Sequence, residues 1–215
     1  MAGKTIASST ARQSIQSDDL LLRETNHRCS NDLQLVVSQL ALQSRRATSE
    51  ETRQALADAT ERVAVLARCR STLYRDRHLS LAGALRQVCE ALHAQAEPRS
   101  IRVLLTVAQE VDGLSSAEIT TLALVVNELA TNAIKHAYEE GKSGQIEVRL
   151  DRNAGRDVTV VVDDDGLPFP ESRYAAADGL GLGLTKRLMA SIGGLFIMPP
   201  SGGKAFELRV PVQHV

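Results

Sequence analysis

Tryptophan is absent from this sequence, and only three phenylalanines and three tyrosines accompany its aliphatic residues. A groove that stacks successive bases needs aromatic platforms, so nucleic acid is not an expected partner. An excess of either charge is lacking too. The 25 basic and 26 acidic residues nearly cancel, leaving −1, far from the basic footprint of a nucleic-acid binder. No apolar run reaches the length of a membrane span, and the polar N-terminus carries no secretory h-region. Cys29, Cys69 and Cys89 are odd in number and form no CxxC pair. That pattern suits reduced thiols in a cytoplasmic protein rather than a disulfide framework.

What the chain does have is aliphatic bulk. Hydrophobic residues make up 43% of 215 positions, enough for one medium domain or a small domain with a helical appendage. The core must be built from Leu, Val, Ile and Ala. Residues 1–17, rich in Ser, Thr, Ala and Gln without periodicity, read as a flexible lead-in.

Residues 18–78 read as a helical hairpin. The first helix runs to about Arg46, with Leu22, Cys29, Leu33, Val36 and Leu40 as a near-heptad seam that Val37 widens. His27 falls off the seam, on a polar stripe with Asn31, Gln34 and Ser38. After the turn Ala47–Glu50, where Thr48 or Ser49 can cap, a second helix runs to about Arg75. Its seam is Leu56, Ala59, Val63, Leu66 and Leu73. Two helices with one apolar stripe each leave part of that stripe uncovered. Pairing with a second copy would complete a four-helix bundle, so a homodimer through the hairpin is expected. Packing against the rest of the same chain is the alternative.

Residues 79–215 change character. Ser80 can cap a helix to about Ala96, which Pro98 ends. Ile101–Val107 is strand-like, and a long helix begins after Ser115 or Ser116. Gln145–Leu150 and Asp157–Val162 read as a hairpin, Gly179–Ile192 as a glycine-opened helix, and Leu195–Met198 with Ala205–Val210 as a closing hairpin. Helices alternating with antiparallel strands predict a two-layer α/β sandwich, making the whole chain α+β.

Three stretches of this second region carry chemistry. In LALVVNELATNAIKHA, apolar residues at helical spacing give a buried face, while Glu128, Asn132, Lys135 and His136 share another face. A carboxylate, an amide and a cation in neighbouring turns suit a magnesium–phosphate site; a solvated polar face is the plainer alternative. A strand of valines then runs into Asp163-Asp164-Asp165-Gly166-Leu167-Pro168. A carboxylate at a strand end can accept from an exocyclic amine, and the glycine behind it lets backbone approach a flat ring. Finally, Gly179, Gly181 and Gly183 alternate with leucines up to Leu184 at the start of a helix. Alternating glycines let successive N–H groups converge on phosphate oxygens there.

Taken together and in this order, NELATNAIKHA, the DDGLP turn and GLGLGLTKRLMASIGG resemble the Bergerat-type (GHKL) ATP-binding sandwich. That sandwich is shared by histidine kinases, type II topoisomerases, the heat-shock chaperone of ninety kilodaltons and the mismatch-repair ATPases. The resemblance implies ATP and Mg²⁺ as cofactors. It implies the metal at Asn132, with Glu128 as the acidic residue beside it, and Lys135 and His136 near the phosphates. It further implies that Asp164 and Gly166 meet adenine, while Gly179, Gly181, Gly183 and Leu184 wrap the triphosphate.

Upstream, His27-Arg28-Cys29-Ser30-Asn31 followed by Leu33 and Gln34 is similar to the His-Arg-x-x-Asn phosphoacceptor helix of a bacterial histidine kinase subfamily. Together the likenesses span roughly residues 18–212. They imply a two-component histidine kinase core, in which His27 is phosphorylated from Mg-ATP. Its phosphoryl group then passes to an aspartate in the receiver domain of a response regulator. Asn31, one turn beyond, would orient the imidazole or its phosphoryl group.

The sequence departs from the family pattern in three places. Pro168 replaces the second glycine of Asp-x-Gly-x-Gly, Lys204 stands where related chains often carry a threonine, and the short stretch from Gly166 to Gly179 leaves little chain for a flap over ATP. These departures leave room for a histidine phosphotransferase or pseudokinase-like regulator that relays phosphate, or for a dimer that only sequesters a response regulator. An anti-sigma serine kinase would not need the hairpin. With so little sequence ahead of the hairpin, the input signal is expected to come from another protein, from the short N-terminus or from sequence outside this chain.

Overall fold

A computed structural model of the chain describes residues 28–29, 31–75, 80–152, 157–169 and 180–212. Contacts divide the chain into two compact units, Met1–Arg77 and His78–Val215.

The first unit contains two helices, α1 (residues 31–46) and α2 (Glu50–Arg75). Ser49 Oγ accepts from the Thr52 N–H at 3.1 Å, which caps α2, and Glu50 and Glu51 lie at its positive end. The chain reverses tightly between them: the Ala47 N–H donates to the Ser44 carbonyl and Ser44 Oγ donates to the Arg53 carbonyl at 3.0 Å. Ala41, Ser44 and Arg45 of α1 therefore share a groove with Ala57, Thr60, Glu61 and Ala64 of α2. The inward side of α1 is Cys29, Leu33, Val37, Leu40, Ala41 and Ser44. Val36, three residues from Leu33 and four from Leu40, lies at the edge of that side and is 41% exposed in the single chain.

The second unit holds α3 (Leu81–Ala96), a 3₁₀ turn (Glu97–Arg99), β1 (Ile101–Val107), α4 (Ser116–His136), β2 (Gly144–Arg152), β3 (Asp157–Asp164), α5 (Leu180–Ser191), β4 (Leu195–Ile197) and β5 (Phe206–Pro211). Ser80 caps α3 by accepting from the Gly83 N–H at 3.1 Å. Pro98 sits in the 3₁₀ turn that ends it, and left-handed Ser100, with φ of 55°, redirects the chain into β1. Helix α4 opens with a capping box: the Glu118 N–H donates to Ser115 Oγ at 3.3 Å, and the Ser115 N–H donates to Glu118 Oε2 at 2.6 Å.

One five-stranded sheet, ordered β1-β2-β3-β5-β4, forms the second layer. Its β2–β3, β3–β5 and β4–β5 pairs are antiparallel, as the sequence predicts, but β1 and β2 pair in parallel. The difference comes from α4, which carries the chain back along the sheet between them, so the second strand must start from the same end. Ile146, Val148 and Leu150 alternate inward on β2, as do Val158, Val160 and Val162 on β3 and Phe206, Leu208 and Val210 on β5. The opposite sheet face is polar, with Arg149 reaching Glu147 at 2.7 Å and Asp163 at 3.5 Å.

Helix α4 packs against α3, α5 and the sheet. Every residue from Thr121 to Ala130 is buried, Asn127 and Glu128 included. The plainer alternative, a solvated polar face, therefore does not hold along this part of the helix. The Arg99 guanidinium donates to the carbonyls of Ile134 and Tyr138, occupying acceptors that the end of α4 leaves open.

Candidate functional site

The C-terminal turns of α4 border a cavity of about 230 Å³. Leu129, Asn132, Ala133, His136 and Ala137 form one wall, and Asp164, Leu167, Pro168 and Phe169 of the turn after β3 form another. Leu182 from α5, Lys204 and Phe206 close it, with Val162 at the base. Residues far apart in sequence thus meet at one concavity, as small-molecule sites do.

The three consecutive aspartates divide their work. Asp163 faces the polar side of the sheet, toward Arg149. Asp165 accepts from the Gln145 N–H at 2.7 Å and from the Tyr138 hydroxyl at 3.0 Å, tying the turn to the start of β2. Burial, then the hydrogen bond to that carboxylate, pushes the Tyr138 phenol above its usual range. Asp164 alone lines the cavity. Its Oδ1 accepts from the Gly166 N–H at 3.0 Å. Burial raises its carboxyl above the usual carboxylate value; the Gly166 N–H and the Lys204 ammonium pull it back, while Asp163 and Asp165 add to the rise.

Within the protein itself, Gly166 is required by its contact with the end of α4. A Cβ built there would lie 2.3 Å from the Ala137 carbonyl oxygen, and the neighbouring Leu167 N–H donates to that same oxygen at 2.7 Å. What crowds Gly166 is the end of α4, so the glycine lets the turn dock on the helix. Lys204 Nζ donates to the Gly166 carbonyl from the other side. The Phe169 N–H donates to the Gly203 carbonyl at 3.3 Å, and the Phe169 ring stands edge-on to Phe206, centroids 5.3 Å apart. Phe206 in turn stacks on Phe196 at 5.8 Å. All three phenylalanines of the chain therefore gather beside this pocket, a convergence no local pattern announces.

At the other end of the cavity, Asn132 and His136 line the wall. Glu128 lies one turn deeper and is 8% exposed; Lys135 is half-buried, and neither is among the lining residues. Of the glycine-rich segment, Leu182 lines the cavity, Gly183 is buried, Leu184 is half-buried without lining it, and Gly181 belongs to the first turn of α5. Gly179 and His27 lie outside the described residues. Asn31 is exposed on α1, in the first unit.

The donor chemistry fits magnesium in one particular manner. Among the described residues no group of three or more His, Cys, Asp or Glu side chains could hold a metal by itself. Mg²⁺ does not need such a cage: it takes one or two protein oxygens and completes its shell with water and substrate phosphates. The Asn132 side chain on the cavity wall, with Glu128 one turn away, is a donor set of that kind. Sequence reasoning passed over the neighbouring Asn127, which is 1% exposed with an Oδ1 that has no hydrogen-bond partner among the described residues. Its signal was available: an amide inside an unbroken apolar stretch of helix.

Comparison with known proteins gives two adjoining family matches. Residues 24–96 match the family described as histidine kinase, and residues 94–194 match the histidine kinase-like ATPase domain. The sensor histidine kinase PdtaS of Mycobacterium tuberculosis is 33% identical over 204 residues, covering 91% of this chain and 40% of the relative. Blue-light-activated histidine kinase 2 of Erythrobacter litoralis is 25% identical over 212 residues, covering 91% of this chain and 58% of the relative. This chain thus spans well under two thirds of either relative's length. In three dimensions the blue-light-activated histidine kinase of Erythrobacter litoralis EL346 superposes with a TM-score of 0.68 at 21% identity, covering 86% of this chain and 59% of that one, a likeness of fold. Among the described residues no helix is long and apolar enough to cross a membrane. With a histidine-kinase segment leading directly into an ATPase sandwich whose motifs line one cavity, the chain belongs to the bacterial two-component histidine kinases with a GHKL-type ATPase domain.

Proposed function

We propose that this chain is the core of a cytoplasmic histidine kinase that phosphorylates His27 from Mg-ATP. It passes the phosphoryl group to an aspartate in the receiver domain of a response regulator. The observation that carries the reading is the cavity in which Asn132 and His136 stand opposite Asp164, with Leu182 of the glycine-rich helix on its rim.

Each residue has a task in this reading. Asp164, through the carboxylate oxygen not already held by Gly166, accepts from the exocyclic amine of adenine. Asn132, with Glu128 behind it, holds Mg²⁺, which neutralises charge on the phosphates when bound. His136, and Lys135 beside it, face phosphate oxygens. N–H groups at the start of α5, around Gly179, Gly181, Gly183 and Leu184, surround the triphosphate. The nucleophile is a neutral His27 nitrogen. A nitrogen–phosphorus bond forms as the γ-phosphorus bond to the bridging oxygen of ADP breaks, and the imidazole proton leaves to solvent or base. Phosphohistidine is high in energy, so transfer to a carboxylate runs downhill. Asn31, one turn after His27, orients the ring. The hairpin pairs with a second copy, and the exposed Leu35, Val36 and Leu42 are the apolar side chains that pairing would cover.

The test is incubation with γ-labelled Mg-ATP and an assay for acid-labile phosphate. Wild type is expected to label. His27→Ala and Asn132→Ala are expected to lose at least a hundredfold, His27→Ala by removing the acceptor and Asn132→Ala by removing the metal ligand. Labelling only from a phosphorylated receiver domain would identify a relay instead.

A further inference from the structure

The base end of the cavity holds two charged groups where a pocket reading adenine alone needs one. Asp164 and Lys204 both line it, and they are tied to opposite sides of one residue: Asp164 Oδ1 accepts the Gly166 N–H at 3.0 Å, while Lys204 Nζ donates to the Gly166 carbonyl. The ammonium is close enough to Asp164 to act on its ionisation. One N–H of the ammonium is used by that carbonyl, and Lys204 makes no other hydrogen bond among the described residues. The remaining donors are left for whatever enters the cavity.

A lone carboxylate discriminates sharply between purines. It accepts from the 6-amino group of adenine but repels the 6-oxo group of guanine, because two acceptors then face each other. An ammonium beside the carboxylate removes that repulsion. Guanine can place its 6-oxygen on the ammonium and its N1–H and 2-amino group on the carboxylate. Adenine can place its 6-amino group on the carboxylate and N1 on the ammonium. Both edges are satisfied, and a site built to satisfy a base's polar groups rejects only a base that leaves them unpaired.

We propose that Lys204 is the specificity-determining residue of this pocket and that it admits guanine as well as adenine nucleotides. The proposal rests on the nucleotide site described above and concerns which base that site takes. Pro168 fits the same picture, since this turn is held by the Lys204 tie to Gly166 as well as by the Leu167 N–H on Ala137.

The test measures binding of Mg-ATP and Mg-GTP by calorimetry to wild type, Lys204→Thr and Lys204→Arg, with thermal melts to verify folding. Wild type is expected to bind GTP within about tenfold of ATP. Lys204→Thr is expected to weaken GTP at least tenfold more than ATP, and Lys204→Arg to keep both. Binding of ATP with GTP more than tenfold weaker in wild type overturns this proposal and leaves the ATP site standing. So does an unchanged GTP-to-ATP ratio in a folded Lys204→Thr. Binding of neither nucleotide overturns both. Should Lys204→Thr fail to fold, competition between the two nucleotides on wild type and Lys204→Arg decides the matter by the same tenfold criterion.

Discussion

The sandwich and helix α1 of the first unit deal with their apolar residues in opposite ways. In the sandwich, Leu81, Leu85, Leu92, Leu122, Val125, Ile146, Leu150 and Leu208 are completely buried. In α1, by contrast, no described residue is fully buried, and Leu35, Val36 and Leu42 stay 62%, 41% and 48% exposed. A helix that keeps three large aliphatic side chains exposed leaves apolar surface for a partner to cover, whereas the sandwich supplies its own core. The self-supporting core and the exposed apolar side chains of α1 therefore lie in different units, and each can be broken separately.

The largest expected break is inside the sandwich. A methyl group at Gly166 would sit 2.3 Å from the Ala137 oxygen, so Gly166→Ala must push the turn off the end of α4. The expected loss is about 3 kcal/mol or more, as for other backbone-to-side-chain collisions at tight contacts. Thermal unfolding checks it, with Ser38→Ala on the exposed side of α1 as the contrast, expected within about 0.5 kcal/mol of wild type.

The second break belongs to the hairpin. Leu35→Lys combined with Leu42→Lys is expected to weaken self-association about a hundredfold, equivalent to about 2.7 kcal/mol. Sedimentation equilibrium measures that shift. Nucleotide affinity in the same variant is expected to stay at the wild-type value, because both residues lie outside the unit that holds the cavity. A parallel fall in nucleotide affinity would mean that the division between the units is functionally false.

Much of this contrast is legible in the order of the amino acids. The cap at Ser80, the start of α4 after Ser115 and Asp164 at its strand end follow from local chemistry, which short stretches of sequence carry. What escapes such a reading depends on partners. Nothing local says that β1 and β2 run parallel, that Gly166 faces a helix end, or that Phe169, Phe196 and Phe206 come together. The seam position of Val36 is legible in the heptad spacing, but its 41% exposure in the single chain is not, because it depends on what packs against that edge of the helix. The site residues share the limitation. Their order in the chain points to nucleotide chemistry, but Glu128 and Lys135 sit behind the cavity wall rather than on it.

The carboxyl of Asp164 sharpens the comparison from the side of pH. Its folded value is raised above 3.8, chiefly by burial, so the folded state holds this proton more tightly than the unfolded chain does. Its contribution to folding is therefore complete below the unfolded value and is lost as pH rises through the folded one. Adenine binding runs the other way. An ionised carboxylate is the stronger acceptor for an exocyclic amine, so ATP affinity is expected to fall as pH drops through the raised value. Calorimetric titrations from pH 7 downward measure this, and Asp164→Asn is expected to bind weakly and to lose most of the slope.

The smallest effect tests whether the sandwich is as complete as its buried residues suggest. Thr185 in α5 is 0% exposed, and its Oγ1 has no hydrogen-bond partner among the described residues. A buried hydroxyl left unpaired gives up its hydration for nothing, a loss of about 1–3 kcal/mol. Valine has almost the same shape without the hydroxyl, so Thr185→Val is expected to raise stability by about 1 kcal/mol in thermal unfolding. If the variant is instead destabilised, the hydroxyl has a partner at the start of the glycine helix. It would then serve to hold the phosphate end of the cavity, and the cost would appear in nucleotide affinity as well as in unfolding. Unchanged affinity with raised stability would place Thr185 with the packing residues of the sandwich, as a removable flaw in its core rather than a part of the nucleotide site.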